Sequence, residues 1–249
     1  MGYQLIFKRF ELKYMLTKEQ KEIILNEISP YMAIDKYGRT TIRNIYFDTD
    51  DYRLIRASIE KPIYKEKLRV RSYDLATPDS TVFVEIKKKY KKVVYKRRVS
   101  MSEATAMNWL CNDVPLEETK KNQISEEIEY FRNYYKNLKP SVFLTYEREA
   151  FYSKDNSDFR ITFDENIMYR QSDMSLTSPP YGTSILEGGK ILMEIKCSGG
   201  IPMWMVKILS REHIYKTSFS KYGTAYRDIV TNNIKKNSAV SNENIIATK

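Results

Sequence analysis

The chain has 249 residues, of which 42% are hydrophobic, and it carries a formal net charge of +10 at pH 7. This length and apolar content allow a sizeable core, in one large domain or in two small ones. Two cysteines and one histidine exclude a disulfide framework and a Cys/His zinc site. The excess of Lys and Arg suggests a polyanionic partner, either a nucleic acid, a phosphorylated ligand or a membrane surface.

The N-terminal residues do not resemble a signal peptide, and no apolar run approaches the roughly 20 residues that a membrane-spanning helix needs. These features predict a cytoplasmic protein. Because no change in composition divides the chain, we expect a single domain over residues 1–231. A polar tail over residues 232–249 is predicted to be disordered.

Periodicity and capping residues predict alternating strands and helices at the start of the chain. The predicted elements are a strand at residues 7–16, a helix at 18–28, a strand at 40–48 and a short helix at 52–58. Thr17 precedes Gln20 by three residues, which is the spacing of a capping box at the start of the first helix. Asp50 is predicted to cap the short helix, and Asp48 is interpreted as a turn or helix-start residue.

Three further strands are predicted at residues 67–73, 82–90 and 93–99, with charged residues at alternate positions. Those charged positions are Lys67, Arg69, Arg71, Glu85, Lys87, Lys96 and Arg98. Since successive side chains of a strand point to opposite faces, each strand has one charged and one mainly apolar face. Arg97 breaks the alternation in the third strand. A half-exposed sheet would give a similar pattern, but Arg is preferred where a planar donor group meets phosphate oxygens.

The rest of the chain is predicted to contain four helices and three strands. The helices are placed at residues 103–110 behind a Ser102 cap, 126–137 behind a Ser125 cap, 202–214 and 221–231, and the strands at 142–152, 159–165 and 191–197. A loop rich in Ser, Pro and Gly is predicted at residues 171–189. The strands again carry charge on one face, through Tyr146 and Arg148, Arg160 and Asp164, and Glu194 and Lys196.

The charged face recurs on the first strand, through Arg9, Glu11 and Lys13. Amphipathic helices need an apolar surface to pack on, which favours a sheet that turns its charged face inward. We therefore expect an α+β fold, in which a closed antiparallel β-barrel tunnel of about eight strands has amphipathic helices packed outside. A basic lumen with a few carboxylates suits a phosphate chain together with Mg²⁺ or Mn²⁺, which prefer oxygen ligands.

Nine short motifs add a family resemblance that covers residues 7–228. They are FELKY at 10–14, NIYFDTDDYRLIRASI at 44–59, LRVRSY at 68–73, VFVEIK at 82–87, YKRRV at 95–99, TYEREAF at 145–151, RITFDENI at 160–167, LMEIKCSGGIP at 192–202 and FSKYGTAY at 219–226. In this order they resemble the VTC domain, the catalytic domain of the vacuolar transporter chaperone polyphosphate polymerases, within the triphosphate tunnel metalloenzymes. The resemblance implies a tunnel barrel that transfers the γ-phosphate of ATP to a growing polyphosphate chain with a divalent metal.

The resemblance also implies which residues bind phosphate. The set implied as catalytic is Lys13, Arg69, Arg71, Lys87, Arg148 and Arg160, and the set implied as substrate-binding is Lys96, Arg98, Tyr146 and Lys221. Glu194 is implied as the ligand of Mn²⁺ or Mg²⁺, with Glu11 and Asp164 as candidates for further metal contacts. The family often has a second Lys three residues before the position of Lys221, where this chain has Ser218. Lys216 is the candidate to replace it.

Two other functions stay open from the sequence. An inorganic or nucleoside triphosphatase of the same fold would use an activated water in place of the phosphate chain. A polyphosphate- or RNA-binding module without turnover is compatible with the net charge, and steep salt dependence of RNA binding would favour it. ATP and inorganic polyphosphate are the predicted partners, nucleic acid is disfavoured, and coupling to a membrane would need another protein.

Overall fold

The structure, a computed structural model, describes residues 10–91, 93–155, 158–186 and 188–246. Within these residues the strands are β1 (Phe10–Leu16), β2 (Met32–Asp48), β3 (Tyr64–Tyr73), β4 (Thr81–Tyr90), β5 (Val93–Ser102), β6 (Lys139–Ser153), β7 (Arg160–Arg170), β8 (Thr183–Ser184), β9 (Ile191–Cys197) and β10 (Lys216–Thr217). The helices are α1 (Lys18–Ile28), α2 (Arg53–Ile59), α3 (Glu103–Cys111), α4 (Gln123–Tyr135), α5 (Met203–Arg211) and α6 (Lys221–Ile246), with a 3-10 turn at Glu118–Lys120. Residues 7–9 of the first predicted strand, including Arg9, lie outside the described residues.

Capping boxes fix the starts of α1 and α4. Thr17 begins α1 through the predicted capping box, since its Oγ1 accepts from the Gln20 N–H at 3.2 Å and the Gln20 side chain accepts from the Thr17 N–H. α4 begins at Gln123 behind an Asn122 cap, and Ser125, the predicted cap, lies inside the helix and completes the capping box. α6 continues to Ile246, beyond the predicted helix end at residue 231 and into the segment predicted as a polar tail.

The start of α2 depends on Asp48. Its buried carboxylate accepts from the backbone N–H groups of Leu54 at 2.8 Å and Ile55 at 3.0 Å, and from the Tyr222 hydroxyl at 2.9 Å. Asp50 lies exposed on the surface. The prediction that Asp50 caps α2 is therefore wrong, because the Asp48 carboxylate at the end of β2 accepts the hydrogen bonds of the helix start. The interpretation of Asp48 as a helix-start residue is confirmed.

Replacing Asp48 with Ala is expected to lower the free energy of unfolding by about 3 kcal/mol, because each buried donor that loses its acceptor costs about 1–3 kcal/mol. Asp50→Ala is the matched control, and we expect it to change the free energy of unfolding by less than about 0.5 kcal/mol. Urea denaturation of the two variants and the parent measures the difference. Equal stability of the two variants would show that α2 does not depend on Asp48.

The strands form one antiparallel sheet in the order β10-β1-β9-β7-β6-β2-β3-β4-β5, with β8 paired to β7. No pairing joins β5 to β10 or β1 within the described residues, so the predicted closed barrel of about eight strands is wrong. β5 carries Lys96, Arg97 and Arg98 in succession. Charged side chains are typical of strands at the edge of a sheet, and β5, which pairs only with β4, is such a strand within the described residues.

The open sheet is nevertheless strongly curled. β4 and β1 are separated in the sheet by β9, β7, β6, β2 and β3. In a flat sheet their axes would lie about 29 Å apart, at about 4.8 Å between neighbouring strands. Lys87 Nζ on β4 instead lies 3.9 Å from Glu11 Oε2 on β1. The sheet therefore bends until side chains from distant strands meet over its concave, inner face.

Helices cover the apolar outer face in two places, as predicted. α3 and α4 contribute Trp109 and Phe131 to a core that includes Leu68 and Val84 of the sheet. α1 and α5 contribute Ile24 and Met205 to a second core, with β1, β7 and β9. These cores keep the apolar faces of the strands away from water and leave the charged faces to point inward.

α2 and α6 instead lie against the inner face, so the prediction that the helices pack outside is wrong for these two, and they make one end of this face apolar. Ile55 of α2 and Tyr222 of α6 form a buried cluster with Leu144 and Leu192 of the sheet. Leu192 and Glu194 are two residues apart on β9, so their side chains share this face. The inner face therefore changes from an apolar core under α6 to a charged surface beyond it.

Candidate active site

The strand register places the alternating charged residues on one face, as the sequence predicted. Directly opposed residues are Lys13 and Glu194 on β1 and β9, Arg148 and Asp164 on β6 and β7, and Arg69 and Glu85 on β3 and β4. In an antiparallel sheet, opposed residues point to the same side. The inner face thus pairs carboxylates with cations in two groups, which are called the Glu194 cluster and the Glu85 cluster.

The Glu194 cluster contains Lys13, Arg148, Asp164, Glu194, Lys196 and Lys221. The Glu194 carboxylate has four cationic nitrogens close to it: Lys221 Nζ at 3.1 Å, Lys13 Nζ and Arg148 Nη2 at 3.4 Å, and Lys196 Nζ at 3.6 Å. Arg148 also donates to both oxygens of Asp164, at 2.6 and 2.7 Å, and Lys221 Nζ lies 2.5 Å from Asp164. Two buried carboxylates therefore fix four cations around one space.

The Glu85 cluster contains Arg69, Glu85 and Lys96. The Glu85 carboxylate is 1% exposed, and it contacts Arg69 Nη2 at 2.7 Å and Lys96 Nζ at 2.6 Å. Arg69 Nη1 also donates to the Tyr46 hydroxyl at 2.9 Å. One carboxylate on β4 therefore orients a cation from each neighbouring strand.

Tyr146 lies between the two clusters. Its hydroxyl accepts from Arg71 Nη2 at 3.2 Å, and its ring centre lies 5.1 Å from the Arg148 guanidinium and 4.7 Å from Lys221 Nζ. Arg71 is held from its other side by Asn44, whose Oδ1 accepts from Nε at 2.9 Å. Burial acts to raise the pKa of Tyr146, but the three cations together lower it.

The buried carboxylates are ionised at neutral pH. Burial acts to raise the pKa of Glu85, but the neighbouring cations, above all Arg69, lower it to about 2. Burial acts in the same direction on Asp164 and Glu194, and here Arg148 and Lys221 hold both pKa values below the ordinary range. Cations still outnumber carboxylates on this face, which gives it a positive potential that attracts anions.

Lys96 is expected to make any phosphate binding on this face depend on pH. Burial lowers the pKa of Lys96 to about 8, although Glu85 acts in the opposite direction. The amine therefore loses its charge as the pH rises through this value, and affinity for inorganic tripolyphosphate should fall between about pH 7 and pH 9. Calorimetric titration at constant ionic strength measures this fall. Lys96→Arg stays charged at these pH values and should make the fall smaller, although Lys67, whose pKa burial also lowers to about 8, can contribute the remainder. An unchanged fall in this variant would contradict the role of Lys96.

The residues predicted to hold a metal do not form a ready site. Mg²⁺ and Mn²⁺ prefer oxygen ligands, which Glu11, Asp164 and Glu194 could supply. However, Asp164 and Glu194 already bind Lys or Arg nitrogens, and Glu11 lies 3.6 Å from Lys13. In the described part of the chain, no group of three or more His, Cys, Asp or Glu side chains is placed to hold an ion. Roles of these carboxylates as metal ligands stay predictions.

Among the described residues, three predicted phosphate-binding residues, Arg98, Arg160 and Lys216, form no ion pair with the carboxylates of the two clusters. Arg98 is exposed on β5, with its guanidinium 4.5 Å from the centre of the Phe83 ring. Arg160 lies opposite Lys196, and its guanidinium is 4.0 Å from the centre of the Tyr152 ring. Lys216 is exposed on β10.

The register explains why Lys216 does not join the inner face. It pairs with Tyr14, whereas the neighbouring Thr217 pairs with Lys13. Tyr14 belongs to the outer core with α1 and α5, so Lys216 points to the outer side.

Sequence reasoning missed four residues of the inner face as site residues. They are Asn44, Tyr46, Lys67 and Lys196. Asn44 and Tyr46 hold Arg71 and Arg69, and Lys196 contacts Glu194. Alternation did place Lys67 and Lys196 on the charged faces, so the strand pattern was a sufficient signal for these two.

Comparisons with known proteins agree with this architecture. The model of the VTC domain family matches residues 8–230 of the chain. Among solved structures, a candidate adenylate cyclase from Bacillus halodurans is similar with a TM-score of 0.55 and 16% identity, over 88% of this chain and 96% of that chain. At this identity the similarity shows a shared fold. None of the curated proteins compared with the chain gave a match.

Two other solved structures are more distant. A candidate adenylate cyclase from Vibrio parahaemolyticus has a TM-score of 0.47 and 11% identity, over 88% of this chain and 97% of that chain. A candidate adenylyl cyclase from Hippeastrum, described as having a dominant triphosphatase activity, has a TM-score of 0.46 and 15% identity, over 85% of this chain and 92% of that chain. In the described residues, no helix has the length and hydropathy needed to cross a membrane.

Proposed function

The chain belongs to the VTC domain family, and from that premise we propose that it is an ATP-dependent polyphosphate polymerase. The proposed reaction transfers the γ-phosphoryl group of ATP to the end of an inorganic polyphosphate chain. The proposed site is the charged inner face of the curled sheet, with ATP and polyphosphate as its partners.

One observation supports the proposal: guanidinium groups from β3 and β6, the two neighbours of β2, meet around Tyr146 on the inner face. Arg71 contacts the Tyr146 hydroxyl, and Arg148 lies against its ring. Arg69 lies two residues from Arg71 on the same face of β3. Guanidinium groups bind phosphate oxygens through paired hydrogen bonds, and fixed cations are what a transferring phosphoryl group requires.

The proposed mechanism needs positioning more than covalent chemistry. Arg69, Arg71 and Arg148 bind the phosphate oxygens of ATP and of the chain. A terminal oxygen of the chain attacks the γ-phosphorus, a new P–O bond forms, and the bond to the β–γ bridging oxygen breaks. ADP leaves with that oxygen and its electron pair. Lys13 and Lys221 of the Glu194 cluster offset the negative charge on the leaving group.

No strong general base is required, because the attacking phosphate oxygen is already ionised at neutral pH. The same feature separates polymerisation from hydrolysis, in which a water molecule would need activation. A divalent cation would supply further charge neutralisation on the phosphates when it is bound. Its requirement is tested by comparing Mg²⁺, Mn²⁺ and a chelator in the assay below.

The test is incubation of the purified protein with ATP and Mn²⁺ or Mg²⁺, followed by separation of polyphosphate on a gel. We expect long chains from the parent protein and none from Arg69→Ala. Arg39→Ala is the control, because Arg39 pairs with Glu147 on the outer face. Release of free phosphate alone would identify a triphosphatase, and binding without turnover would identify a polyphosphate-binding module.

A further inference from the structure

Two pairs of lysines face each other directly across β3 and β4 on the inner face. Lys65 lies opposite Lys89, and Lys67 lies opposite Lys87. The next pair along the same face is Arg69 and Glu85, an ion pair with 2.7 Å between Nη2 and Oε2. The pattern therefore changes from opposite charges to like charges along one pair of strands. These four residues are called the lysine ladder.

The lysine ladder is costly for the free protein. Like charges that lie directly opposite each other in a sheet are destabilising. In the described residues, Glu11 is the only carboxylate within ion-pair distance of the ladder, at 3.9 Å from Lys87 Nζ. Lys65 Nζ donates to the Ser58 carbonyl, and Lys67 Nζ lies 5.7 Å from the centre of the Tyr222 ring.

The pKa of Lys67 reflects burial and the positive charge concentrated at the ladder. Burial lowers the pKa of Lys67 to about 8, and Lys87, Lys65 and Lys13 act in the same direction, against Tyr46. A lysine on the opposite face provides the contrast: Lys88 Nζ pairs with Glu127 at 2.7 Å. The inner face thus concentrates unbalanced positive charge at the ladder, while the outer face of the same strand balances it.

We infer that the lysine ladder is an additional anion-binding subsite, which takes the phosphates of a linear oligophosphate beyond those held by Arg69, Arg71 and Arg148. This inference rests on the proposed function only for the phosphates that are assigned to the arginines. On β3 the residues from Arg71 to Lys65 span about 20 Å, at about 3.3 Å per residue. Arg71 is buried at one end of this path, and the strands end at Tyr64 and Tyr90, where the sheet is exposed. A chain longer than a triphosphate can follow this path outward.

The chemistry favours a phosphate chain over a single-stranded nucleic acid. Binding of single strands depends on aromatic side chains on which the bases stack. Tyr64 and Tyr90 oppose each other at the end of the ladder, but each lies one residue from a ladder lysine and points to the other side. Tyr222, the ring near Lys67, is buried, so in the described part of the strands the ladder presents amines without an exposed ring on its own face.

The test is calorimetric titration of the whole protein, without ATP, with inorganic tripolyphosphate and with a longer inorganic polyphosphate. The parent is expected to bind the longer chain at least about tenfold more tightly per chain, a difference of about 1.4 kcal/mol. Lys67→Gln/Lys89→Gln should lose this preference while its affinity for tripolyphosphate stays within about threefold. Lys88→Gln removes one positive charge from the outer face and should keep the preference.

Thermal denaturation without phosphate separates binding from folding. If the lysine ladder binds a ligand and does not stabilise the fold, Lys67→Gln/Lys89→Gln should have a melting temperature equal to or above that of the parent, because repulsion between like charges is removed. A lower melting temperature, an unchanged chain-length preference, or equally tight binding of single-stranded RNA would each overturn the inference. Binding is measured without turnover. Absence of polymerase activity would therefore overturn the proposed function without affecting the inference about the lysine ladder.

Discussion

Glu194→Gln is expected to lower the rate of polyphosphate synthesis by about 100-fold, the size of effect that follows loss of one positioned electrostatic group. The carboxylate lies 3.1–3.6 Å from the nitrogens of Lys13, Arg148, Lys196 and Lys221. Glutamine keeps the shape of the side chain but removes the charge that holds these cations in place. The assay is the initial rate of polymer formation with ATP.

The same variant distinguishes two roles for Glu194. As an internal counterion, it competes with phosphate for four cations, so Glu194→Gln should bind tripolyphosphate about tenfold more tightly, a gain of about 1.4 kcal/mol. As a metal ligand, its loss would weaken phosphate binding in the presence of Mn²⁺. Titrations with and without Mn²⁺ separate these results. Weaker binding under both conditions would contradict the counterion role.

Arg148→Met is expected to lower the free energy of unfolding by about 3–5 kcal/mol, the cost of leaving a buried carboxylate without its partner. Asp164 is 0% exposed and binds Arg148 through both oxygens. Lys221 stays near Asp164 and offsets part of the loss. Urea denaturation measures the change. Addition of Asp164→Asn removes the unpaired charge and should recover part of the stability.

An exposed ion pair supplies the control for Arg148. Arg39 pairs with Glu147 on the outer face, where its side chain is 43% exposed. Arg39→Met should therefore cost less than about 1 kcal/mol, as is usual for surface ion pairs. Similar losses in the two variants would show that the Glu194 cluster is as accessible to water as the surface, which would contradict its description as a buried site.

The sequence predicted which residues share the charged face because a period of two is a local property of strands. Arg69, Arg71, Arg148 and Glu194 were identified in this way, and the motifs supported them. The pairing of Asp48 with the start of α2 was only partly visible, since it depends on how the chain folds back after β2. Residue spacing alone favoured the nearer Asp50.

Closure of the sheet could not be predicted because it depends on which edges meet in three dimensions. Alternation describes each strand by itself, and it is the same for a closed barrel and for a curled open sheet. The successive charges from Lys96 to Arg98 identified an edge strand only once the strand order was known. The four cations around Glu194 could not be predicted as a cluster for the same reason, because they come from different strands and a helix.

Openness of the sheet does not remove the basis of the proposed function. The charged side chains of the inner face do not diverge into solvent, because Arg71 and Arg148 both contact Tyr146. Contact between Lys87 and Glu11 links strands on the two sides of the opening. The charged side chains of the inner face therefore stay close to one another, which is what the proposed binding of an anion requires.

A crystal structure with inorganic tripolyphosphate tests the central claim most directly, since the claim concerns where an anion binds. We expect the phosphates to lie on the inner face, with oxygens within about 3 Å of the guanidinium groups of Arg69, Arg71 and Arg148. Tripolyphosphate bound on the outer face, with these three side chains in their present contacts with Glu85, Asn44 and Asp164, would contradict the account.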